Sequence, residues 1–471
     1  MLFSSNNFLF FFLPIVLAGY YLMQKRYRNL YLMIMSMGFY AWGEPKFVLI
    51  MAVSILFNYI SALLIDFAKS VPLRKCLLIV SLIGNLGLLF FYKYLNFAAE
   101  NLAKLGIPIT LQKLALPIGI SFFTFQAISY VIEVYRRTVP VQKKLHYLAL
   151  YISFFPQLVA GPIVRYETIV NQLSDRRETL DDFAEGVHRF IIGLGKKAII
   201  SNNIALAADA AFAVPDSERS VAYAWLGIVA YTLQIFFDFS GYSEMAIGLG
   251  KMFGFHFLEN FDYPYIAKSV SDFWRRWHIS LGQWFRDYVY FPLGGSRVKS
   301  RSRLIFNLFV VWALTGIWHG ASWNFIVWGL FYFVLLVWEK LSGYPEKFKH
   351  NVAKAAYRVF TLLAVMAGWV LFRADTLQAA LRYGLSLIGL QNNSLSCNNV
   401  IMTIREYWLF YLLALLFATP IFRVLKEKIS QKPSMNTAVE ILSVCVYVFI
   451  FVWSISYLIL NTYNPFIYFN F

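Results

Sequence analysis

The chain has 471 residues, of which 59% are hydrophobic and only 14% are charged. Soluble domains carry about 25% charged residues, so this composition excludes an ordinary soluble enzyme and indicates a polytopic membrane protein. The net charge of +17 does not indicate nucleic-acid binding, because Lys and Arg fall in short loops between apolar runs, as the positive-inside rule describes.

The first apolar run, from Phe8 to Leu22, is predicted to span the membrane. It lacks the basic start and the small-residue cleavage site of a signal peptide. The basic residues that follow it indicate that its end faces the cytosol, so the N-terminus is expected outside. Cys76, Cys397 and Cys445 show no CxxC spacing, so neither a disulfide framework nor a metal site is expected.

Further apolar runs recur along the whole chain, and each is read as a crossing or half of a hairpin. We expect an all-α bundle of about 11–12 transmembrane helices in one membrane-embedded domain, residues 1–471, with both termini outside. The predicted runs are Leu30 to Trp42, Phe47 to Ile65, Cys76 to Tyr92, Leu114 to Val134, Val187 to Ala205, Val221 to Phe237, Leu304 to His319, Phe325 to Glu339, Tyr357 to Phe372, Tyr407 to Phe422 and Val439 to Leu460.

The run from Tyr147 to Ala160 is too short to span and is predicted to be re-entrant or interfacial. It ends in FFPQLVAGPIVRYE, whose prolines and glycine forbid a regular helix. Irregular backbone at membrane depth needs protein or a wet cavity around it, so Gln157 and Arg165 are expected to face an internal cavity. A loop turning at the cytosolic surface is an equally open alternative.

A polar cluster, FDFSGYSEM, follows the run that ends at Phe237. Asp238 and Tyr242 are expected at the end of that helix, beside a substrate cavity. Asp238 would ligate or orient a bound group there. The alternative is that Asp238 caps the helix that follows.

The stretch from Ser271 to His319 contains two of the six histidines, His278 and His319. If the chain is helical from Ser271 onward, Trp274 and Trp277 lie on an aromatic stripe beside His278. Gly282 lies one turn further on, where its missing side chain leaves room for another group. We expect a partly inserted, amphipathic helix that enters the membrane from the cytosol.

His319 lies in TGIWHGAS, at the end of a predicted spanning helix. An ionisable side chain at membrane depth is a functional candidate by default, and a buried neutral imidazole is competent as a general base. Trp318 and Gly320 flank it, and the glycines are expected to leave room for a substrate chain. The alternative is a histidine hydrogen-bonded within the bundle. The other histidines have no such context: His146, His188, His256 and His350.

These motifs resemble the membrane-bound O-acyltransferase family, and within it the bacterial branch that O-acetylates alginate and peptidoglycan. The resemblance rests on FFPQLVAGPIVRY, QIFFDFSGYSEMAIGLGKMFGF, FWRRWHISLGQWFRDYVYFPLGGSR and TGIWHGASWNFIVWG, in that order. It implies a bundle around a central tunnel, with His319 as the catalytic histidine and His278 as the second. The D-alanyl transferases of teichoic acid synthesis share both histidines but lack the FPLGG continuation.

The resemblance also implies the reaction. We expect a cytosolic acyl thioester, acetyl-CoA or an acyl carrier, to be the donor substrate, with no tightly bound cofactor and no metal. The expected partners are membrane lipids and an extracytoplasmic SGNH-hydrolase-like acetyltransferase, and the expected location is the bacterial inner membrane. A transporter or flippase for a lipid-linked saccharide and a pure scaffold are the alternatives from other classes.

The tail, residues 466–471, fits the pattern FxYxxF. It resembles the acyl-relay hexapeptide of the teichoic acid D-alanylation machinery, where it belongs to a separate small protein. The resemblance implies that Tyr468 carries an acyl ester on the external side. The alternative is an aromatic belt that anchors the last helix at the membrane interface.

Overall fold

The computed structural model describes residues 2–107, 114–159, 161–391, 393–430, 436–460, 463–464 and 466–467. These residues form helices and connecting loops, with no β-strand among them. They divide into two compact units, Met1–Phe190 with Ser243–Leu258 and Ile191–Tyr242 with Glu259–Phe471. The all-helical fold class is as predicted, whereas the single domain stays a prediction.

The first unit is a bundle of apolar helices with a buried polar contact. Asn58 on α3 (Val48–Phe67) and Asn85 on α4 (Val71–Lys104) exchange amide hydrogen bonds of 2.9 and 2.8 Å. Buried amides require such partners, so this pair fixes how the two helices pack. The helices of this unit are α1 (Phe8–Leu22), α2 (Arg28–Gly43), α3 (Val48–Phe67), α4 (Val71–Lys104), α5 (Ile120–Arg136), α6 (Leu145–Ser153) and α7 (Tyr166–Ser174).

The segment that was predicted to be re-entrant is a broken, buried helix. α6 ends at Ser153, and a single helical turn, Phe155–Leu158, follows with Pro156 in its first turn. All side chains from 148 to 159 are buried. The alternative of an exposed surface loop is therefore wrong, because a surface loop would keep its side chains in solvent.

Two long helices, α8 (Leu180–Ala213) and α9 (Val221–Met252), contribute residues to both units. The second unit then continues with α10 (Val270–Arg276), α11 (Ile279–Phe285), α12 (Arg301–His319), α13 (Trp323–Ser342), α14 (Asn351–Arg373), α15 (Leu377–Leu387), α16 (Asn398–Phe417), α17 (Ile421–Ser430) and α18 (Asn436–Leu460). α12 and α13 cross closely, since a Cβ on Gly316 would lie 2.4 Å from the Phe325 carbonyl oxygen.

Eight helices of the described residues are long and apolar enough to cross a membrane: α3, α4, α8, α9, α13, α14, α16 and, from residue 437, α18. α1 is a shorter apolar helix. These lengths follow from hydrophobic runs that match the thickness of a bilayer. The crossing count of about 11–12 and the orientation of the termini stay predictions.

The predicted end of α9 is wrong. The helix continues past Phe237 to Met252, so Asp238 lies in mid-helix and does not cap a following one. A glycine beyond the predicted end permits close packing within the second unit. A Cβ on Gly241 would lie 2.8 Å from the Gly193 carbonyl oxygen on α8.

Candidate active site

α10 and α11 are separated by a sharp break at His278. Its backbone has φ 46° and ψ 53°, the left-handed region that non-glycine residues rarely adopt. The predicted continuous helix from Ser271 is therefore wrong. Residues held in this conformation need support from their surroundings, and they cluster at functional sites.

Asn260 supplies that support from the loop before α10. Its Oδ1 accepts hydrogen bonds from the Ser280 N–H at 3.1 Å and from the Ser280 hydroxyl at 2.8 Å. His278 Nδ1 lies 3.2 Å from the same oxygen, and the Asn260 carbonyl oxygen accepts from the Ile279 N–H at 3.0 Å. Sequence analysis missed Asn260, because a single asparagine in an aromatic loop carries no motif.

Glu339, near the end of α13, caps the start of α10. Its two oxygens accept from the N–H groups of Val270 at 2.7 Å and Ser271 at 2.8 Å, and from the Ser271 hydroxyl at 2.6 Å. A carboxylate at a helix N-terminus is favourable because the first N–H groups have no partner within the helix. The Tyr357 hydroxyl also donates to Glu339 at 2.7 Å. This residue, too, was missed from sequence.

A cavity of about 480 Å³, the large cavity, is lined by both central histidines. Gly282 lies on it, and a Cβ there would meet nothing closer than the Trp274 carbonyl oxygen at 3.9 Å. The side chains or backbone that line this cavity are those of Ser271, Trp274, Arg275, Trp277, His278, Ile279, Leu281, Gly282, Gln283, Phe285, Arg286, Val311, Trp312, Thr315, His319 and Leu336.

His319, the last residue of α12, is buried among aromatic rings. Its ring centroid lies 4.9 Å from that of Trp328 and 5.2 Å from that of Phe372. Trp318 contacts both central histidines, with ring centroids 5.0 Å from His319 and 6.2 Å from His278. The two imidazoles therefore share an environment of aromatic rings.

His278 lies outside the eight candidate spans. Burial lowers the pKa of its imidazole from the usual 6.5 to about 3. The pKa falls because desolvation disfavours the charged form of the imidazole. His278 is therefore neutral at physiological pH.

A second, small cavity of about 20 Å³ also includes His319. It holds roughly one water-sized group. Trp277 and His319 line both cavities. The other residues that line the small cavity are Ile235, Asp238, Phe239, Trp328, Trp369, Phe372, Phe466 and Ile467.

Asp238 anchors the tail of the chain in the second unit. Its Oδ1 lies 2.5 Å from the Lys197 ammonium, and its Oδ2 accepts from the Ile467 N–H at 2.8 Å. Lys197 lies in a π-helical turn, Lys196–Ser201, a distortion frequently found at functional sites. The ring of Tyr242 stacks on Phe466 with centroids 4.8 Å apart. Tyr468 lies outside the described residues.

Two of the residues predicted to face a cavity, Gln157 and Arg165, lie elsewhere. Gln157 is buried in the first unit, where its amide donates to the Tyr151 carbonyl oxygen. Arg165, also in the first unit, pairs with Glu167 at 2.8 Å. Neither residue lines the large or the small cavity.

The expectation that Gly320 leaves room for a substrate is wrong. A Cβ on Gly320 would lie 2.3 Å from the ring of Phe325, which already fills the adjacent space. The glycine is needed for this contact between the end of α12 and the start of α13. Room for a substrate is present at Gly282 instead.

Comparison with known proteins assigns the family. The model of the membrane-bound O-acyltransferase family matches residues 135–372, a region that contains both histidines. A probable alginate O-acetylase of Pseudomonas aeruginosa is 46% identical over 389 residues, covering 81% of this chain and 74% of the relative.

Two further relatives carry related names. A peptidoglycan O-acetyltransferase of Helicobacter pylori is 36% identical over 432 residues, covering 84% of this chain and 81% of the relative. A teichoic acid D-alanyltransferase of Bacillus subtilis is 33% identical over 244 residues, covering 49% of this chain and 61% of the relative. Together with the family match and the apolar helices, these similarities show that the chain is a multi-pass membrane enzyme of the membrane-bound O-acyltransferase family.

Proposed function

We propose that this enzyme moves an acetyl group from a cytosolic thioester, acetyl-CoA, to a hydroxyl of an extracytoplasmic polysaccharide such as alginate or peptidoglycan. The similarity to the alginate O-acetylase covers 81% of the chain, and that to the peptidoglycan O-acetyltransferase covers 84%. The D-alanyltransferase similarity covers only 49%. O-acetylation is therefore favoured over D-alanyl transfer.

The observation that carries the proposal is the shared cavity of the two histidines. His278 and His319 both line the large cavity, and His319 also lines the small one. A cavity of about 480 Å³ lies within the size range of small-molecule sites. Neither a flippase nor a scaffold accounts for two buried imidazoles that line one cavity. A general base that lines both cavities could serve a donor in one and an acceptor in the other.

The donor is proposed to enter the large cavity with its phosphates near basic side chains. Arg275 and Arg286 are exposed residues on its wall. An adjoining cavity of about 230 Å³ adds Lys340. Cations around the mouth of a site attract an anionic substrate and raise its local concentration. His278 would position or polarise the thioester there.

His319 is proposed as the general base. It takes the proton of an acceptor hydroxyl, whose oxygen attacks the thioester carbonyl carbon. The carbon–sulfur bond breaks, and coenzyme A leaves as a thiolate that receives the proton. The products are an oxygen ester and free coenzyme A.

The first acceptor is proposed to be the phenol of Tyr468. Phe466 and Ile467, just before it, line the small cavity together with His319. In the second step, an SGNH-hydrolase-like partner outside the membrane takes the acetyl group from the tyrosine ester and passes it to the polysaccharide hydroxyl. Tyr468 then regains its proton. This route requires that both termini lie on the external side of a bacterial inner membrane. It requires no tightly bound cofactor.

Mass spectrometry of the purified protein in lipid vesicles with acetyl-CoA tests the proposal. We expect one acetyl group on Tyr468, lost in His319→Ala and absent in Tyr468→Phe. His146→Ala serves as a control for loss of a histidine outside the cavities. Thioester loss that needs His319 and a partner, without acetyl on Tyr468, would remove the relay and keep the enzyme. Full transfer by His319→Ala at normal abundance would refute the assignment.

A further inference from the structure

The contact between Asn260 and His278 has a defined chemical polarity. Both side chains are buried, with 1% and 2% of their surface exposed. The Asn260 atom 3.2 Å from His278 Nδ1 also lies 3.1 Å from the Ser280 main-chain N–H. That N–H can only donate, so the atom is the amide oxygen. A flipped amide would place two donors face to face.

An oxygen acceptor at Nδ1 requires that Nδ1 carry the proton. A neutral imidazole then has its lone pair on Nε2. Nε2 of His278 is buried and makes no hydrogen bond to any described residue. In this tautomer the second nitrogen of His278, a residue that lines the large cavity, is a hydrogen-bond acceptor and not a donor.

We propose that Asn260 is a positioning residue for acyl transfer, which holds His278 in the tautomer with its proton on Nδ1 and its lone pair on Nε2. The inference rests on the role proposed above for His278 and narrows that role. A lone pair cannot polarise a thioester carbonyl by donation. It can accept a hydrogen bond from an N–H or O–H of the donor or of the acceptor.

The surroundings of His278 leave Asn260 as the group that selects the tautomer. Phe239 and Trp318 contact the imidazole with apolar rings, at centroid distances of 4.6 and 6.2 Å. The titratable and charged side chains that share the large cavity with it are His319, Arg275 and Arg286. The guanidinium groups of Arg275 and Arg286 cannot accept a hydrogen bond. Among the described residues, the hydrogen bond of His278 Nδ1 is to Asn260 and not to His319.

Two substitutions separate positioning from a structural role. Asn260→Ala removes the acceptor, and we expect acetyl transfer from acetyl-CoA to fall about 10–100-fold, as for other groups that orient a functional histidine. Asn260→Asp keeps the acceptor and the tautomer, so it should retain most activity. Its carboxylate stabilises the imidazolium, so His278 becomes protonated at a higher pH than in the parent protein. As the pH is lowered, the activity of this variant should therefore begin to fall earlier, at a higher pH, than that of the parent protein.

Asn85→Asp is the matched control, because it introduces a buried acid into the first unit and should leave the pH dependence unchanged. In a His278→Ala background, Asn260→Asp should not shift the pH dependence. Equal losses in Asn260→Ala and Asn260→Asp, with unchanged pH dependence, would overturn the inference and leave the proposed function intact. Full activity of His278→Ala would overturn the inference together with the proposed role of His278.

Discussion

Ile467 donates its main-chain N–H to Asp238 at 2.8 Å, on a carboxylate whose other oxygen contacts Lys197. One buried side chain in the middle of α9 thus joins α8 to the tail. Lys197 and Asp238 expose only 1% and 2% of their side chains. Since the anchored tail residues line the small cavity, this ion pair also shapes the surroundings of His319.

Lys197→Met should destabilise the protein strongly. The substitution leaves the Asp238 carboxylate buried without its counter-charge, which typically costs about 3–5 kcal/mol. Removing both charges in Lys197→Met with Asp238→Asn should recover part of that loss. Thermal unfolding in detergent measures both effects, with the exposed Lys354→Met as the control. If Lys197→Met alone were as stable as the parent protein, the positive charge of Lys197 would not be needed to stabilise the buried Asp238 carboxylate.

Gly282 offers a graded test of the large cavity. A Cβ at this position meets only the Trp274 carbonyl oxygen at 3.9 Å, so larger side chains fit without a backbone clash. Gly282→Ala should retain activity, whereas Gly282→Leu and Gly282→Phe should lower kcat/KM for acetyl-CoA by about tenfold or more, because the side chain occupies substrate space.

The control for this series is Gly87 on α4, where a Cβ meets nothing within 4 Å. Gly87→Leu should leave both activity and melting temperature unchanged. Unaltered kinetics in Gly282→Phe would mean that the substrate does not use this part of the large cavity. A lowered melting temperature without a kinetic change would indicate a packing role instead.

Arg275 is expected to contribute to donor binding and not to the chemical step. It is exposed on the wall of the large cavity. Arg275→Glu should raise KM for acetyl-CoA about tenfold with little change in kcat, since the lost attraction acts on the donor phosphates before reaction. Salt should weaken binding less in the variant than in the parent protein. Arg358→Glu, on the exposed face of α14, should behave like the parent; a matching rise in its KM would indicate a nonspecific charge effect.

Glu178 should make stability depend on pH. Burial opposes ionisation of this carboxyl, but hydrogen bonds from Tyr20 and Arg28 outweigh it and lower the pKa below the usual 4.5. A depressed pKa in the folded state contributes stability above the unfolded value, and that stability is lost as the pH falls through the folded value. Glu178→Gln should therefore lower the melting temperature more at pH 7 than at about pH 4.

Tyr20→Phe is the comparison for this variant. It removes the hydrogen bond to Glu178 at 2.6 Å, and also the contacts of the hydroxyl with the Phe253 carbonyl oxygen at 3.1 Å and with Arg176 at 3.0 Å. The ion pair of Glu178 with Arg28 at 2.9 Å remains. We expect the loss of melting temperature to depend less on pH than in Glu178→Gln, because the carboxylate keeps its charge and this ion pair. A pH-independent difference between Glu178→Gln and the parent protein would show that the carboxylate charge does not stabilise this contact.

The helical, membrane-embedded class could be predicted from sequence, because hydropathy is a local signal. Both central histidines could be selected as candidates, because each lies among aromatic residues in the sequence. The break at His278 could not. It depends on Asn260, which is 18 residues upstream and forms its contacts only after folding. A helical pattern across Ser271 to Tyr288 says nothing about such a partner.

Two glycines show why the packing could not be predicted from sequence. The predicted end of α9 lies before Gly241, and Gly320 was expected to leave room for a substrate. Both instead allow a neighbouring element to approach, at distances that a Cβ would prohibit. A glycine indicates that another group can approach the backbone closely, but the sequence does not show whether that group is a substrate or a neighbouring helix. The tail contact was equally hidden, since Ile467 and Asp238 are 229 residues apart.

Glu339 has a consequence for selectivity. By accepting from α10 and from Tyr357 on α14, this single residue of α13 fastens together helices that bear Trp274 and Leu336 on the wall of the large cavity. This part of the cavity wall cannot move to admit a bulkier acyl group without breaking several charge-assisted hydrogen bonds. We therefore expect activity with different acyl thioesters to drop sharply above a certain acyl size, instead of declining gradually.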